Sequence, residues 1–267
     1  MIDKPDHPEA HFSIVTLHTA AQRQQAATLY RSVFGYDHPS YGLNPRLLAG
    51  LIANGGSAIG ALDHEDRLVG FSYGFLGTDG TRTYHYSQAA VVAAGHQSHG
   101  LGRRLKLAQR DVALATGVST MRWAYDPILT RNAHFNLDVL GARGVVFEPE
   151  LYGEPGTDRI VVEWDLSVPP GPQGTPEPAP ASSEPAGRSG HDAEWARPIT
   201  DRDRILVPLP IDLTALRAHD PILAADLAGR LQETLQRIFA EGYQAVSCRV
   251  VGRTAFYIFR RPAGTAD

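Results

Sequence analysis

The run Val91-Val92-Ala93-Ala94-Gly95-His96-Gln97-Ser98-His99-Gly100-Leu101-Gly102-Arg103-Arg104-Leu105 carries the residue types best suited to holding an anion. An apolar strand leads into a glycine-bearing turn that opens a helix. Backbone N–H groups at a helix start lack intrahelical partners and sit at the positive end of the dipole, so they can grip a pyrophosphate. Gly100 and Gly102 leave no side chain in the way, and Arg103, Arg104 and Lys106 add charge for further phosphates. An ordinary strand–turn–helix junction with a solvated basic face has the same local sequence. A GxxxxGK[ST] loop is absent. A dinucleotide fingerprint needs glycine where Leu105 stands and an acid about 20 residues on, where Met121 and Arg122 stand.

Other groups could take part in chemistry. Tyr84, His85, Tyr86, Ser87 and Gln88 share one strand-like run. Alternation puts Tyr84, Tyr86 and Gln88 on one face and His85 and Ser87 on the other, and leaves open which face meets a substrate. Asp126 precedes Pro127, where a carboxylate can do acid–base work or simply cap a turn. Arg131 and Arg159 can hold a carboxylate bidentately or join structural ion pairs. Gly70-Phe71-Ser72-Tyr73-Gly74 matches G-x-S-x-G, but that pattern serves hydrolysis only at a strand-to-helix elbow. Here the run continues through Phe75-Leu76 into a turn and another strand. The eleven histidines show no HExxH or close ligand spacing, so no metal is expected.

The elements that must position these residues follow from periodicity and punctuation. Phe12–Leu17 suits a strand, and Thr19 caps a helix from Ala20 to about Phe34 with Leu29, Val33 and Phe34 on one stripe and Gly35 past its end. A shorter helix fits Asn44–Ile52. Ser57–Leu62, Arg67–Leu76 and Tyr84–Val92 form an antiparallel meander joined by polar turns. A helix at Leu101–Thr116, a strand at Thr120–Tyr125, a helix from about Thr130 to Leu140 and strands near Val145 and at Arg159–Leu166 complete the block. The fold class is α/β: a mixed sheet with helices on its faces.

Composition breaks once, at Ser167–Gly190, which lacks aromatic residues and has Val168 as its only aliphatic side chain beyond alanine. Such a stretch buries too little apolar surface to offset its ordering entropy and is expected to be a linker. Residues 1–166 then form one domain, 167–190 the tether and 191–267 a C-terminal α+β subdomain. In that subdomain Pro208 and Pro210 confine Ile205–Ile211 to a sheet edge. Asp220-Pro221 opens an amphipathic helix with Ile222, Leu223, Leu227, Leu231, Leu235, Ile238 and Phe239 on one face. Two β-like runs, Gln244–Val251 and Thr254–Phe259, close the chain.

A formal charge of −4 without clustered basic residues argues against nucleic acid. No apolar run is long enough for a bilayer, and the first ten residues lack the apolar core of a signal peptide, so a cytoplasmic location is expected. One cysteine, Cys248, excludes an intrachain disulfide. The basic residues comprise 23 Arg and only Lys4 and Lys106, a bias attributable to coding composition.

Gln97-x-x-Gly100-x-Gly102 after a β-meander resembles the Q/R-x-x-G-x-G/A acetyl-CoA motif of the GNAT N-acyltransferase superfamily, and the order of elements is that superfamily's. A closer resemblance, to a bacterial subfamily of predicted acyltransferases, lies in Leu105-Lys106, Gln109-Arg110, Trp123-Ala124-Tyr125-Asp126-Pro127, Arg131-Asn132-Ala133, Leu140-Gly141-Ala142, Tyr152-Gly153, Asp158-Arg159 and Glu163-Trp164. It covers most of the chain outside the linker. The resemblance implies an acyl-CoA, acetyl or succinyl, as co-substrate, lying between splayed fourth and fifth strands. Val91, Val92 and Ala93 would pair with the pantetheine, and Gln97, Ser98, His99, Gly100, Leu101, Gly102, Arg103 and Arg104 would hold the pyrophosphate. Asn132 could cap its own helix, and the resemblance favours a bond to the pantetheine amides instead.

The acceptor implied is a small amine, such as an amino acid, with Arg131 and Arg159 for a substrate or succinyl carboxylate. Catalytic candidates are Asp126, His85 and Tyr86, with Asp126 favoured as base because it ends the fifth strand. The tyrosine that many members use as acid is replaced by Leu137. A catalytically silent acyl-CoA-binding protein is therefore the alternative. A homodimer stays open as the assembly.

Overall fold

The computed structural model describes residues 12–169, 171, 177–178 and 195–262. The chain divides into two compact units, Met1–Met121 and Arg122–Asp267.

The first unit contains β1 (Ser13–Thr16), α1 (Ala20–Phe34), α2 (Pro45–Ala53), β2 (Ser57–Leu62), β3 (Leu68–Thr78), β4 (Thr83–Val92) and α3 (Leu101–Ala115). Its strands run β1-β2-β3-β4, each antiparallel to the next, and β2-β3-β4 is the predicted meander. Local signals fix the helix ends. Thr19 and Gln22 make a reciprocal capping box, Gly35 ends α1 in the left-handed region, and Asn44 caps α2 with Pro45 behind it.

One apolar cluster joins α1 and α2 to the sheet through Ala26, Leu48, Ala58, Phe71 and Val91. A second joins α3 to it through Ile59, Ala61, Val69, Leu101 and Leu105. Each of these large aliphatic side chains contributes about 1.5–3 kcal/mol on burial. The stripe expected on α1 is corrected. Ala26 and Ala27 are buried while Val33 and Phe34 are exposed, because Phe34 stacks on Tyr36 in the following loop instead.

Register in β4 shifts once. Tyr73 pairs with Ala89 but Gly74 pairs with Ser87, so Gln88 is an extra residue. This bulge inverts the facing on either side of it. His85 and Ser87 lie under α3, whereas Ala89 and Val91 pack with α1 and α2.

The second unit holds β5 (Thr120–Tyr125, begun in the first), α4 (Thr130–His134), β6 (Arg143–Glu148), β7 (Arg159–Asp165), β8 (Ile199–Asp201), β9 (Arg204–Pro210), α5 (Leu213–His219), α6 (Pro221–Ala240), β10 (Gln244–Val251) and β11 (Thr254–Arg260). Strand order is β5-β7-β6-β10-β11-β9-β8. The C-terminal strands thus continue the ladder of β6, through Ala245 opposite Gly144. A Cβ on Gly144 would stand 2.8 Å from that of Ala245, so glycine permits the approach.

Most of the expected linker lies outside the described residues. Within it, Arg260 pairs with Glu177 (2.6 Å) and Arg204 donates to Pro178 O (2.8 Å).

Three expectations change here. β9 is not the edge strand; β8 pairs with Arg204, Ile205 and Leu206, and Pro208 and Pro210 lie past its reach. On α6, Ile222 is exposed and Ala224 and Thr234 are buried in the packed face. The helix expected to run to Leu140 changes pitch after His134, and Phe135–Val139 forms a π-turn closed by Leu140 N donating to Phe135 O (3.0 Å). The change accompanies Asp138, whose carboxylate accepts from Ser247 Oγ (2.6 Å) and Cys248 N (2.8 Å) on β10.

Candidate functional site

In the first unit, the junction between β4 and α3 is built from backbone. Ala93 N donates to Val69 O (2.9 Å), which ends the sheet, and a single 3-10 turn, Ala94–His96, follows. Gln97 folds its amide back on Val92 O (3.2 Å). Ser98 and Gly100 both adopt left-handed backbone (φ 67° and 72°). Gly100 is the residue before α3 and, lacking a side chain, makes no cap bond to that helix's first amides. By contrast, α1, α2, α5 and α6 are capped by Thr19, Asn44, Asp212 and Asp220. A Cβ at Gly100 would meet nothing within 4 Å, so the approach to those amides is open. Gln97, Ser98, His99 and Gly100 are exposed; Leu101 is buried and anchors the helix start. The residues fit an anionic, phosphate-bearing group at this point.

The basic residues divide. Arg103 is half-buried, and Arg104 is exposed but donates to Phe12 O (2.7 Å). Lys106 does not reach a phosphate position; it is buried beneath α3, which corrects the expectation drawn from charge alone. Its Nζ donates to Ser87 Oγ (2.6 Å), Ser87 donates to Gln109 Oε1 (2.7 Å), Gln109 Nε2 donates to Ser57 Oγ (2.9 Å), and Ser57 lies 2.8 Å from His85 Nε2. Burial pushes the Lys106 amine down to about 7. Burial, and then the charge of Lys106, push His85 down to about 4. His85 is therefore a neutral imidazole and a weak base. Ser57 Oγ accepts from Gln109 Nε2 and shares a hydrogen bond with His85 Nε2, whereas the buried His85 Nδ1 has no hydrogen-bond partner. Tyr86, on the other side of the strand, is half-buried with its ring 5.5 Å from that of Phe75.

Ser72 lies mid-strand in β3, fully buried, as its neighbours in sequence required. The flanking glycines serve packing: a Cβ on Gly74 would stand 2.4 Å from Tyr86 O and 2.6 Å from His85 Nε2.

In the second unit, Asp126 follows β5 and is partly buried. Its Oδ1 accepts from Ile128 N (3.0 Å), the turn-capping role weighed for it. Burial raises its carboxyl above the usual range, against the amide bond from Ile128 and the charges of Arg159 and Arg217. Arg159 donates to Asp158 O (2.7 Å) and lies over the Tyr152 ring at 5.1 Å. Arg131 and Asn132 are exposed on α4. Leu137 is buried in the π-turn. Two groups near Asp126 went unnoticed in the sequence. Tyr125 and Tyr257 are buried with their hydroxyls 3.3 Å apart. The alternation Met121, Trp123, Tyr125 marks the inward face of β5, but nothing local ties it to residue 257.

No protein-family model and no curated protein matches the chain. Among solved structures it is similar to Arabidopsis thaliana NAA60 in complex with a bisubstrate analogue (12% identity, 58% of this chain and 99% of that one, TM-score 0.48). It is similar also to an aminoglycoside 6'-N-acetyltransferase complexed with coenzyme A (15%, 60% and 98%, 0.45). A third is an acetyltransferase of the GNAT family from Staphylococcus aureus Mu50 (11%, 58% and 99%, 0.44).

Proposed function

We propose that the chain is an acyl-CoA-dependent N-acyltransferase of the GNAT type, acting on the amine of a small molecule such as an amino acid. One observation carries the reading: α3 begins on a left-handed glycine, Gly100, where a Cβ would meet nothing within 4 Å, after the turn that follows β4. The bound acyl-CoA would supply a thioester carbonyl open to attack. The amides of Leu101, Gly102 and Arg103 hold the pyrophosphate, and Val91, Val92 and Ala93 offer backbone to the pantetheine.

An ammonium acceptor must lose a proton before it attacks. Asp126 is the base on this reading, because burial raises its carboxyl towards the range where proton transfer is efficient. His85 is held neutral and already bonded to Ser57, and Tyr86 stays as an alternative group on the same strand. Arg131 and Arg159 are assigned to a carboxylate on the acceptor or acyl group, Asn132 to the pantetheine.

Leu137, buried and without a hydroxyl, favours a second reading, an acyl-CoA-binding protein that does not turn over. Calorimetry with CoA, followed by thiol release from acetyl- and succinyl-CoA across an amino-acid panel, separates the two. Binding with amine-dependent release supports the enzyme. Binding with no release on any amine supports the silent protein, and no binding removes both.

A further inference from the structure

The turn that carries Asp126 is tied at three points. Asp126 Oδ1 accepts from Ile128 N (3.0 Å), Asp126 O accepts from Leu129 N (3.2 Å), and Pro127 O accepts from Tyr257 Oη (2.8 Å). Pro127 has no N–H, so its carbonyl is the only backbone group through which that residue can be fastened. The fastening comes from a residue 130 positions later in the chain.

Tyr257 is well placed to hold it. It is fully buried in β11, opposite Cys248 of β10 on one side and Val207 of β9 on the other, so its backbone is fixed by two ladders. Its ring stacks on Phe259 (5.8 Å between centroids, 26°). Burial raises the phenols of Tyr257 and Tyr125 above their ordinary range, so the hydroxyls keep their protons at any pH the protein meets. Tyr257 Oη thus stays a donor, within reach of Pro127 O (2.8 Å) and, at a longer distance, of Tyr125 Oη (3.3 Å).

We propose that Tyr257 is a positioning residue for Asp126, so that the C-terminal strands form part of the catalytic apparatus. The proposal rests on the reading of Asp126 as base. Without the bond from Tyr257, the Pro127 carbonyl must turn towards water, and Asp126 turns with it. Hydration then relieves the burial that holds its carboxyl up.

Tyr257→Phe removes one oxygen and keeps the ring. With acetyl-CoA and the best acceptor of the amino-acid panel, we expect kcat to fall about tenfold, KM for acetyl-CoA to hold, and the acid limb of the pH–rate profile to move to lower pH. Tyr125→Phe, which leaves the bond to Pro127 in place, should keep the wild-type limb. Amide exchange by NMR is independent of acceptor: Ile128 and Leu129 should exchange at least about tenfold faster in Tyr257→Phe while β11 amides do not change. Unchanged exchange at Ile128, or a lower melting temperature with an unmoved acid limb, overturns the proposal. Asp126→Asn separates the two ideas. If it retains wild-type kcat and the acid limb, Asp126 is not the base and both fall. If it loses them while Tyr257→Phe does not, only the positioning role falls.

Discussion

Lys106 Nζ lies 2.6 Å from Ser87 Oγ, with both side chains buried between α3 and β4. The chain of bonds beyond Ser87 passes through the Gln109 carboxamide, which cannot relay a proton as a hydroxyl or imidazole can. The network therefore fixes α3 against the sheet rather than conducting protons. Its cost is the suppression of a charge.

That cost gives a pH dependence of known sign. The amine titrates near 7 when folded and at its ordinary 10.5 when unfolded. Between those values the unfolded chain binds more protons, so stability rises with pH across the window, by at most about 1.4 kcal/mol per pH unit. His85, moved from 6.5 to about 4, acts with the same sign between those values. Urea denaturation at about pH 7.5 and about pH 9.5 should show wild type gaining stability relative to Lys106→Met, in which only the opposing effect of the buried Cys248 thiol and the Tyr125 and Tyr257 phenols remains. An equal change in both would mean that Lys106 is not the source. Since Lys4 is the only other lysine, carbon-13 lysine labelling reports the midpoint directly, and a resonance titrating near 7 is expected.

Gly74 makes the same network sterically possible. Alanine there would place its Cβ against Tyr86 O, which is backbone and cannot move aside, and against His85 Nε2. Gly74→Ala should cost about 1–3 kcal/mol by overpacking. Gly229, inside α6 with nothing within 4 Å of a Cβ, is the control. Gly229→Ala should gain about 0.5–1 kcal/mol from helix propensity alone. Thermal melts of the two variants should move in opposite directions; movement in the same direction would refute the packing argument.

These cases show what the sequence could reveal and what it could not. Thr19, Asn44, Gly35 and Asp220-Pro221 declare helix ends through chemistry confined to three or four residues, and each does so in the structure. The glycine turn before α3 was legible for the same reason. The facing of His85 was not, because Gln88 bulges and alternation fails across it. Lys106 reads as a solvated cation until the strand beneath it is known to offer Ser87. Tyr257 meets Pro127 only through the path of the chain, and no spacing rule spans that distance.

Asp138 should dominate the attachment of the π-turn to β10. Its carboxylate accepts from Ser247 Oγ and Cys248 N and pairs with Arg249 Nε (3.1 Å) and His134 Nδ1 (3.2 Å). Burial works against its ionisation, but the bonds from His134, Ser247 and Cys248 outweigh it and hold the carboxyl below its usual range. A carboxylate so lowered contributes stability above the unfolded value and loses it as pH falls through the folded one. Asp138→Ala should cost about 2–4 kcal/mol at neutral pH, since several buried donors lose their acceptor together. Its deficit relative to wild type should first widen below neutrality, as the His134 imidazolium forms beside Asp138, and then shrink as pH falls through the folded Asp138 value. A constant deficit in urea titrations would show that packing, not charge, is what the substitution removes.

The phosphate cradle can be tested at Gly100 only with a side chain that its backbone tolerates. Its φ of 72° strains any β-branched residue, so valine there would report on folding as much as on ligand. Asparagine visits the left-handed region readily and places a carboxamide over the open amides of α3. That carboxamide fills space at Gly100 that is otherwise empty within 4 Å. Gly100→Asn should therefore keep the fold while weakening CoA binding about tenfold or more, because the carboxamide stands where the pyrophosphate would lie. Calorimetry with CoA reads the affinity, and circular dichroism reads the fold. Unchanged affinity in a folded Gly100→Asn protein would place the pyrophosphate elsewhere.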